Sequence, residues 1–421
     1  MTRLKLATAD TFRSLQHRNF RIFFYTQGIS FIGTWLQLAA QILLVYRLTD
    51  SGTAVGLLTA AQFTPTLLLG AWAGVVIDRH DKRRIMRITS GVMLGAAVAL
   101  GALVLTDTVT TPLVYVLAAV LGLANTFDNP ARRTLVNDLV PESEVANAVA
   151  LNSTLITVAR ILGPAAAGGL IATVGIGWCF VLNGLSFVPV LVGLHRMDGA
   201  SFRSRPVARA KGQLRAGLRY AASIDDLRVP LLLMAVVGTL SFNTPVLLPL
   251  LAERELHGSD VTYTLLTSCF GVGSLVGSLR LARREVIDTR FLAHSALLLG
   301  ASLAALALAP SIAVAGLVLL PAGYAAIGVL SGGNIVLQLA TSAEMRGRVL
   351  ALYTVVFLGS TPIGGPITGW TAERFGTPAG ILLGAVASIA VGLAVLRFVR
   401  RRSGAVDGAL VLPEPAVVQA A

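Results

Sequence analysis

The stretch "GVVIDRHDKRRIMRITSGVMLGAAVALGALVL", residues 74–105, places a charged, mostly basic segment directly before a long apolar run. The run from 85 to 105 carries one charge, Arg87, close to its beginning. A helix needs about 20 apolar residues to cross the hydrocarbon core of a bilayer. The stretch therefore predicts a membrane-spanning helix that begins at a cluster of positive charge.

The same pattern of apolar runs ended by charged residues, proline or glycine recurs along the whole chain of 421 residues. Hydrophobic residues make up 55% and charged residues 13% of the sequence, with a mean hydropathy of +0.75. Soluble proteins average roughly 45–50% apolar and 25% charged residues. The fold expected is all-α and integral to the membrane, with twelve spans in two pseudo-symmetric six-helix bundles. The predicted spans are residues 22–46, 54–77, 85–105, 112–127, 149–174, 179–194, 229–251, 261–281, 291–309, 312–337, 350–371 and 378–399.

The net charge of +13 raises the question of a nucleic-acid surface, but the positions of the basic residues argue against one. They precede the first span and follow every even-numbered span, whereas the opposite loops hold little beyond Arg47, Arg254 and Arg374. Lysine and arginine accumulate on the cytoplasmic side of membrane proteins. The charge thus predicts a multi-pass protein of the bacterial inner membrane, with both termini cytoplasmic and no nucleic-acid partner.

The chain divides into two halves at its longest polar interruption. The predicted units are an N-terminal bundle of residues 1–195, a basic cytoplasmic linker at 196–228, a C-terminal bundle at 229–402 and a disordered tail at 403–421. A weak internal repeat supports the division, because Gly163, Gly168 and Gly175 align with Gly364, Gly369 and Gly376 at a constant offset. Parallel halves with glycine- or proline-interrupted helices are typical of secondary transporters. The alternative is chance similarity between two glycine-rich helices.

The segment "GVVIDRHDKRR" at 74–84 resembles the signature that follows the second helix in the major facilitator superfamily. The matching residues are Gly74, Asp78, Arg79, Lys82 and Arg83. The resemblance implies an inner gate in which Asp78 caps a helix or pairs with the other half, and the basic residues close the gate in one state. Asp81 stands where the family usually has glycine, which puts the tight turn in doubt, although aspartate also tolerates turns. The alternative is an ordinary basic cytoplasmic loop.

Longer phrases resemble one bacterial branch of that superfamily, which includes the enterobactin exporter and related small-molecule exporters. They are "LGLANTFDNPARRTLVNDLVPESEVANAVALN", "RILGPAAAGG" and "EMRGRVLALYTVVFLGSTPIGG". The second phrase is similar to the fifth-helix motif of antiporters, with the positions Gly163, Pro164, Gly168 and Gly169. Proline removes a backbone donor and glycine permits close helix packing. The motif implies a bent, tightly packed seam that blocks leakage of protons or solute; the alternative is a seam that serves packing alone.

Arg160 and Asp128 are the charge candidates within the predicted spans. Arg160 lies about 16 Å into its span at 1.5 Å per residue. An isolated charge there costs on the order of 2.5–3.5 kcal/mol or more, so it should face a hydrated cavity or a partner, and Asp128 is the nearest candidate acid. Arg160 holds an anionic group of the substrate, pairs with an acid to modulate proton coupling, or binds backbone carbonyls. Asp128 carries the coupled proton, or it orders a loop where Asn129-Pro130 ends the helix.

Two polar stripes at helical spacing are the candidates for the substrate path. Five polar residues of the first span share one face because they recur at steps of three and four: Gln27, Ser30, Thr34, Gln37 and Gln41. The tenth span repeats the spacing with Ser331, Asn334 and Gln338, and Asn183, Asn243 and Tyr324 are further candidates. Hydrogen bonding between helices is the alternative role for both stripes.

No catalytic or nucleotide-binding pattern is present in the sequence. It has no Gly-Lys-Ser/Thr for phosphate binding, and Cys179 and Cys269 form neither a disulfide framework nor a metal cluster. No enzyme activity, cofactor or metal is therefore expected. The resemblance implies a monomeric, proton-coupled exporter of a drug, siderophore or secondary metabolite. The alternatives are an importer or lipid translocator on the same fold, and a non-transporting membrane sensor or assembly factor.

Overall fold

The computed structural model describes residues 12–197, 219–284, 286–342, 345–358 and 360–409. Within these ranges the side chains of residues 71, 78, 346, 347, 351, 354, 358 and 402–409 are outside the description. Most of the predicted linker, at 198–218, and the end of the predicted tail, at 410–421, are also outside it. The last helix is described as far as Ala409, so helical backbone extends past the predicted start of the tail at 403.

Six long helices form the first half of the chain, with short 3₁₀ turns at Arg13–Gln16 and Glu142–Glu144. The helices are α1 (Arg18–Thr49), α2 (Gly52–Arg79), α3 (Lys82–Leu105), α4 (Thr111–Asp138), α5 (Val145–Thr173) and α6 (Ile176–Arg196). The second half contains α7 (Asp225–Leu240), α8 (Thr244–Leu250) with a π turn at Leu251–Glu255, α9 (Asp260–Ala282), α10 (Thr289–Ala307), α11 (Ile312–Leu339), α12 (Arg346–Leu358), α13 (Thr361–Phe375) and α14 (Thr377–Ala409). Within the described residues, twelve segments are long and apolar enough to cross a membrane, which confirms the predicted fold class.

Two spans predicted as single helices are interrupted. The span at 229–251 breaks between α7 and α8, and the span at 350–371 breaks between α12 and α13. Each new helix begins with a proline in its first turn, where the missing N–H has no helical partner to lose. Asn243 at the first break donates from Nδ2 to the carbonyl oxygen of Thr239 at 2.7 Å. Such a break is tolerated at membrane depth because protein surrounds it.

Asn129-Pro130 does not end the fourth helix, so the predicted helix stop is wrong. The helix α4 continues through Pro130 to Asp138. Neighbouring helices and side chains satisfy the backbone groups that a proline frees in a membrane helix. Asp128 and Arg132 are therefore one helical turn apart on the same face.

Asp81 resolves the doubt about the turn before α3. Its φ of −61° is an ordinary value that requires no glycine, and its Oδ1 accepts a hydrogen bond at 2.9 Å from the backbone N–H of Arg83. Aspartate is among the preferred N-cap residues because it satisfies a free N–H of the first turn. The departure from the family pattern thus replaces a glycine turn with a helix cap.

The two halves have matching arrangements of helices. In the first half α1 packs on α5 and α6, α2 on α4, and α3 on α4 and α6; in the second, α9 packs on α11 and α10 on α11 and α14. The halves meet along two pairs of helices, α2 with α13 and α5 with α9. Loops α2–α3, α4–α5, α6–α7, α9–α10 and α11–α12 lie at one end, here called the basic end. The breaks α7–α8 and α12–α13 lie within spans, and the other connections lie at the opposite end.

The glycines aligned in the internal repeat occupy equivalent places in the two halves. A Cβ on Gly163 would collide with Trp35 of α1, and one on Gly364 with the Thr239 carbonyl of α7. Gly168 and Gly369 pack across the halves instead, against Thr264 and Gly52 respectively. The third pair, Gly175 and Gly376, both precede the next helix with positive φ values, 95° and 92°. Similarity by chance does not account for three matched structural roles.

Candidate functional site

Arg160 lies near the middle of α5, and no anion of the described residues pairs with it. Its guanidinium carbon lies 4.9 Å from the ring centroid of Trp35, in cation–π geometry. Its Nε is buried without a hydrogen-bond partner, and within the described part of the chain no ion pair involves this side chain. A stacked aromatic ring stabilises a cation but does not neutralise it. The site therefore presents an uncompensated positive charge at membrane depth.

Asp128 pairs with Arg132 and not with Arg160, so the predicted Asp128–Arg160 partnership is wrong. The Asp128 side chain is fully buried; it receives a charged hydrogen bond from Nη2 of Arg132 and one at 2.7 Å from the Thr89 hydroxyl. The guanidinium carbon of Arg132 also lies 4.6 Å from the ring centroid of Phe31 in α1. Among the described residues no other acid is buried. This buried pair is a second, separate charged centre.

The four residues of the predicted fifth-helix seam differ in their surroundings. Gly163 contacts α1 closely, and Pro164 is buried inside a helix that continues through it. Gly168 faces Thr264 of α9 in the other half, so it belongs to the contact between halves. A Cβ on Gly169 would meet nothing within 4 Å. Three of the four positions therefore take part in tight packing.

Glycine backbones also form the second seam between the halves, along α2 and α13. A Cβ on Gly56 would lie 2.5 Å from the carbonyl oxygen of Gly365, and one on Gly52 would lie 3.0 Å from that of Gly369. Thr59 fills the next position against Gly365. Glycine permits this approach of two helix backbones because it has no side chain. All of these residues lie in the half of the helices toward the opposite end.

Three polar contacts join the halves at the opposite end, and together they are called the outer latch below. Arg47 pairs with Asp260, and Arg254 pairs with Asp50. Glu373 accepts hydrogen bonds from the Ser51 hydroxyl at 3.0 Å and from the Thr53 backbone N–H at 3.3 Å. The Thr53 hydroxyl donates to the same carboxylate oxygen. The latch and the glycine seams hold this end closed.

The signature residues at the basic end contact their own half. Lys82 Nζ lies 2.5 Å from Asp138 Oδ2 of α4, and Arg83 Nη1 donates to the carbonyl oxygen of Met197 at 2.9 Å. The side chain of Asp78 is outside the described residues, so its predicted role as cap or partner stays a prediction. Gly74 and Arg79 are the two remaining signature positions, both on α2. In this state the described basic residues tie α3 to α4 and to the end of α6.

The polar stripe of α1 turns inward, and four of its five residues are almost fully buried. Gln27, Ser30, Gln37 and Gln41 are only 1–3% exposed, and Thr34 is half-buried with its hydroxyl bonded to the Ser30 carbonyl at 2.8 Å. Asn183 of α6 donates from Nδ2 to Oε1 of Gln37 at 2.6 Å. Bonding between helices is therefore observed for two of the candidate substrate residues.

The candidates of the second half are dispersed. Ser331, Asn334 and Gln338 are half-buried on α11, where Gln338 donates to Asn334. Asn243 is 2% exposed, and its side chain donates to the Thr239 carbonyl at the helix break. Tyr324 lies apart from them, in a cavity between α9, α10 and α11. The structure does not gather these residues into one site.

Sequence reasoning missed the outer latch. Its members were visible only as isolated charges near the ends of spans, and Arg47, Arg254 and Arg374 were noted merely as exceptions to the charge asymmetry. One signal was available in the sequence: an acid in one half and a base in the other half, both near loops of the same end. Asp50 with Arg254 and Arg47 with Asp260 are the two examples. The separations along the chain leave no local pattern to recognise.

Twelve membrane-spanning segments among the described residues, arranged in two matched halves with glycine-lined contacts between them and the signature after α2, define a transporter of the major facilitator superfamily. The family model described as "Transmembrane secretion effector" matches residues 9–420. The chain belongs to this family of major facilitator transporters. It is accordingly a transporter and not an enzyme.

Known proteins similar to this chain support the same assignment. The staphyloferrin A transporter of Staphylococcus aureus is 22% identical over 62% of this chain and 66% of its own length. The multidrug efflux pump Tap of Mycobacterium tuberculosis is 26% identical over 84% of this chain and 87% of its own. A solved bacterial homologue of the iron transporter ferroportin, described as inward-facing, matches with a TM-score of 0.72, 14% identity and coverage of 90% and 98%. The structural match shows the fold alone.

Proposed function

We propose that the protein exports a small amphipathic organic molecule across the inner membrane of a bacterium by alternating access, in exchange for protons. Its family is described as a secretion effector, and its relatives include a multidrug efflux pump and a siderophore transporter. The proposed molecule is a drug, a siderophore or a secondary metabolite. The protein acts as a monomer, since each half supplies the other with its closing surfaces.

The basic end faces the cytoplasm in this proposal, because lysine and arginine accumulate on that side. Both termini then lie inside, and the outer latch lies at the outer surface. The structure corresponds to a state closed toward the outside. Export requires the second state, in which the latch and the glycine seams separate and release the substrate outward.

Arg160 is the residue that we assign to the substrate, and the observation that carries this proposal is that no anion among the described residues pairs with it. Intramembrane charges are rare and mark substrate or ion pathways. The guanidinium next to Trp35 offers charged hydrogen bonds beside an aromatic surface. A substrate with a carboxylate or another strong acceptor attached to an apolar body fits both features.

Asp128 is the residue that we assign to the coupled proton. A carboxylate can carry a proton only if it loses its partner in one state, and Arg132 is the partner here. The pair joins α4 to α1 through Phe31, so movement of α1 relative to α4 changes the environment of the acid. Proton binding to Asp128 then coincides with the change between states.

Inside-out vesicles with a proton gradient test the proposal directly. Fluorescein, an anionic amphipathic dye, should accumulate in vesicles that contain the protein, and rhodamine 6G, a cationic dye of similar ring structure, should accumulate far less. Removing the charge in Arg160→Gln should raise the KM for fluorescein about 10- to 100-fold, because a hydrogen bond to a charged group contributes about 1.5–3 kcal/mol. An uncoupler should abolish accumulation.

The matched control is Arg133→Gln, since Arg133 is an exposed arginine of α4 at the basic end. It should transport like the unmodified protein. Uptake into right-side-out vesicles instead would show an importer. Equal transport by Arg160→Gln and the unmodified protein would remove Arg160 from the substrate site, and no movement of either dye or of protons would favour a non-transporting role.

A further inference from the structure

A cavity of about 530 Å³ lies between α9, α10 and α11 at the basic end. Its wall includes Val276, Leu279, Arg280, Arg283, Arg284 and Tyr324. Three arginines of one short segment therefore border a single recess. None of the roles assigned above uses these arginines.

The cavity faces away from the contact between the halves. Gly271 of α9 packs on Ile161 of α5 in the other half, where an added Cβ would lie 3.0 Å from its Cγ1. Arg280 follows nine residues later, which at 100° per residue places it on the opposite side of the helix. Val276 and Leu279 beside it are 52% and 58% exposed. Large apolar side chains exposed on this side of a membrane helix contact lipid.

Two arginines of the cavity, Arg280 and Arg283, have no described partner of the kind that the equivalent residues of the first half possess. After α2, Lys82 pairs with Asp138 and Arg83 donates to the Met197 carbonyl. After α9, Arg280 and Arg283 have no ion pair or side-chain hydrogen bond within the described part of the chain. Among the described residues, the first half supplies partners for Lys82 and Arg83, whereas the second half supplies no anion for Arg280 and Arg283.

The remaining polar groups of the cavity are oriented by the protein. Arg284 donates from Nε to the Val286 carbonyl at 2.9 Å and stacks over the ring of Phe291 at 4.4 Å. Asp288, the described acid of this loop, is used as the cap of α10 and accepts from the Phe291 N–H at 2.8 Å. Tyr324 lines the cavity, and its hydroxyl has no described hydrogen-bond partner, so it is the candidate neutral donor for a bound group.

We propose that this cavity binds the headgroup of an anionic phospholipid, with the phosphate at Arg280 and Arg283 and one acyl chain along Val276 and Leu279. Basic pockets between membrane helices at the cytoplasmic side bind phospholipid headgroups in this way. The Tyr324 hydroxyl donates to the phosphate or to the glycerol part of the headgroup. The lipid neutralises the charge that the second half leaves open.

Native mass spectrometry of the purified protein, titrated with dioleoylphosphatidylglycerol or dioleoylphosphatidylcholine, tests this site. The anionic lipid should bind at lower concentration than the neutral one. A triple change, Arg280→Gln, Arg283→Gln and Arg284→Gln, should weaken that binding about 100-fold, and Arg280→Gln alone about fivefold, since each basic residue near a lipid surface contributes about a factor of five. Tyr324→Phe should weaken it about fivefold.

The matched control replaces three exposed arginines of α14 at the same end, Arg397, Arg400 and Arg401, with glutamine. It removes the same charge and should bind the anionic lipid like the unmodified protein. If the triple variant does not elute as a single folded species, the lipid affinity of Arg280→Gln alone is the test. Equal binding of both lipids, equal loss in the control, or displacement of the lipid by inorganic phosphate at millimolar concentration would overturn the proposal.

Discussion

Arg254 donates two hydrogen bonds from Nη2 to Asp50 in the other half of the molecule. One goes to the Asp50 carbonyl oxygen at 2.6 Å and one to its carboxylate Oδ1 at 3.0 Å. Asp50 ends α1 with a left-handed φ of 45°, the conformation that commonly ends a helix. The bond from Arg254 holds the pKa of the Asp50 carboxyl below its ordinary value.

The lowered pKa gives the outer latch a defined pH dependence. A carboxylate whose pKa is lowered in the closed state contributes to closure above its ordinary pKa and loses that contribution as the pH falls through the lowered value. The Asp50–Arg254 contact should therefore hold unchanged between pH 8 and pH 5. Asp50→Asn should weaken closure at every pH in this range. The Asp50 side chain is 77% exposed, so the effect should be small, about 0.2–1 kcal/mol.

Distances between spin labels at positions 107 and 310, in a background without Cys179 and Cys269, measure this closure. Both positions lie in loops of the opposite end, one in each half. Asp50→Asn should increase the population with the longer distance up to about fivefold. The control Glu253→Gln changes an exposed acid at the same end and should leave the populations unchanged. A distance distribution of Asp50→Asn identical to that of the unmodified protein would contradict the role of the latch.

Gly168 and Gly169 provide a matched pair for testing the seam between α5 and α9. A Cβ on Gly168 would collide with the side chain of Thr264, whereas one on Gly169 meets nothing within 4 Å. Gly168→Ala should destabilise the closed state by about 1–3 kcal/mol, as overpacking does. Gly169→Ala should be neutral or stabilise the helix by up to about 1 kcal/mol. Thermal unfolding and the spin-label distances measure the two effects.

The double change Gly168→Ala with Thr264→Ala tests the cause of the Gly168 effect. It removes the Thr264 atoms that the new methyl group would contact, so it should restore closure to near that of Thr264→Ala alone. If both alanine variants at 168 and 169 behave alike, the seam does not depend on this contact.

Hydropathy and charge distribution predicted the twelve spans because a bilayer imposes length and polarity on each helix separately. The glycine repeat was also readable, since the same packing roles recur in both halves. Local spacing does not reveal the pairs of the outer latch, because each contact joins residues from opposite halves of the chain; only the placement of acids and bases at one end hints at them. Fold geometry alone brings Arg254 to Asp50 and Glu373 to Thr53.

The Asp128–Arg132 pair was missed for a different reason. Its two residues are four apart, a spacing at which helical neighbours interact, so the information was local. The prediction that Asn129-Pro130 ends the helix excluded this pair, because it placed Asp128 and Arg132 on different elements. In a soluble protein a proline within a helix costs about 3 kcal/mol or more, but surrounding helices offset that cost in a membrane bundle.

The buried pair predicts a large loss of stability when only its acid is removed. Asp128→Asn leaves Arg132, which is 8% exposed, without its counter-charge. Breaking a buried ion pair in this way costs about 3–5 kcal/mol. Asp128→Leu combined with Arg132→Met should recover most of that loss, since replacing both charges is often neutral. Unfolding in sodium dodecyl sulfate measures these free energies.

A second local pair of opposite charge gives the control for this measurement. Asp225 and Arg228 also lie on one helix, but their side chains are 44% and 50% exposed. Asp225→Asn should therefore cost less than about 1 kcal/mol. A cost for Asp128→Asn as small as for Asp225→Asn would show that Arg132 finds another partner or water, which would also weaken the assignment of the coupled proton to Asp128.

The bond between Gln37 and Asn183 separates the two roles considered for the polar stripe of α1. Because Gln37 and Asn183 are each 3% exposed and bonded at 2.6 Å, Gln37→Ala should reduce stability and leave the KM for transported dye unchanged. The coupling free energy from the cycle of Gln37→Ala and Asn183→Ala should be about 0.6 kcal/mol, the average for such bonds in a membrane protein. Thr34→Ala, whose hydroxyl bonds only within α1, should show no coupling to Asn183→Ala. A tenfold rise in KM for Gln37→Ala at unchanged stability would instead place the stripe on the substrate path.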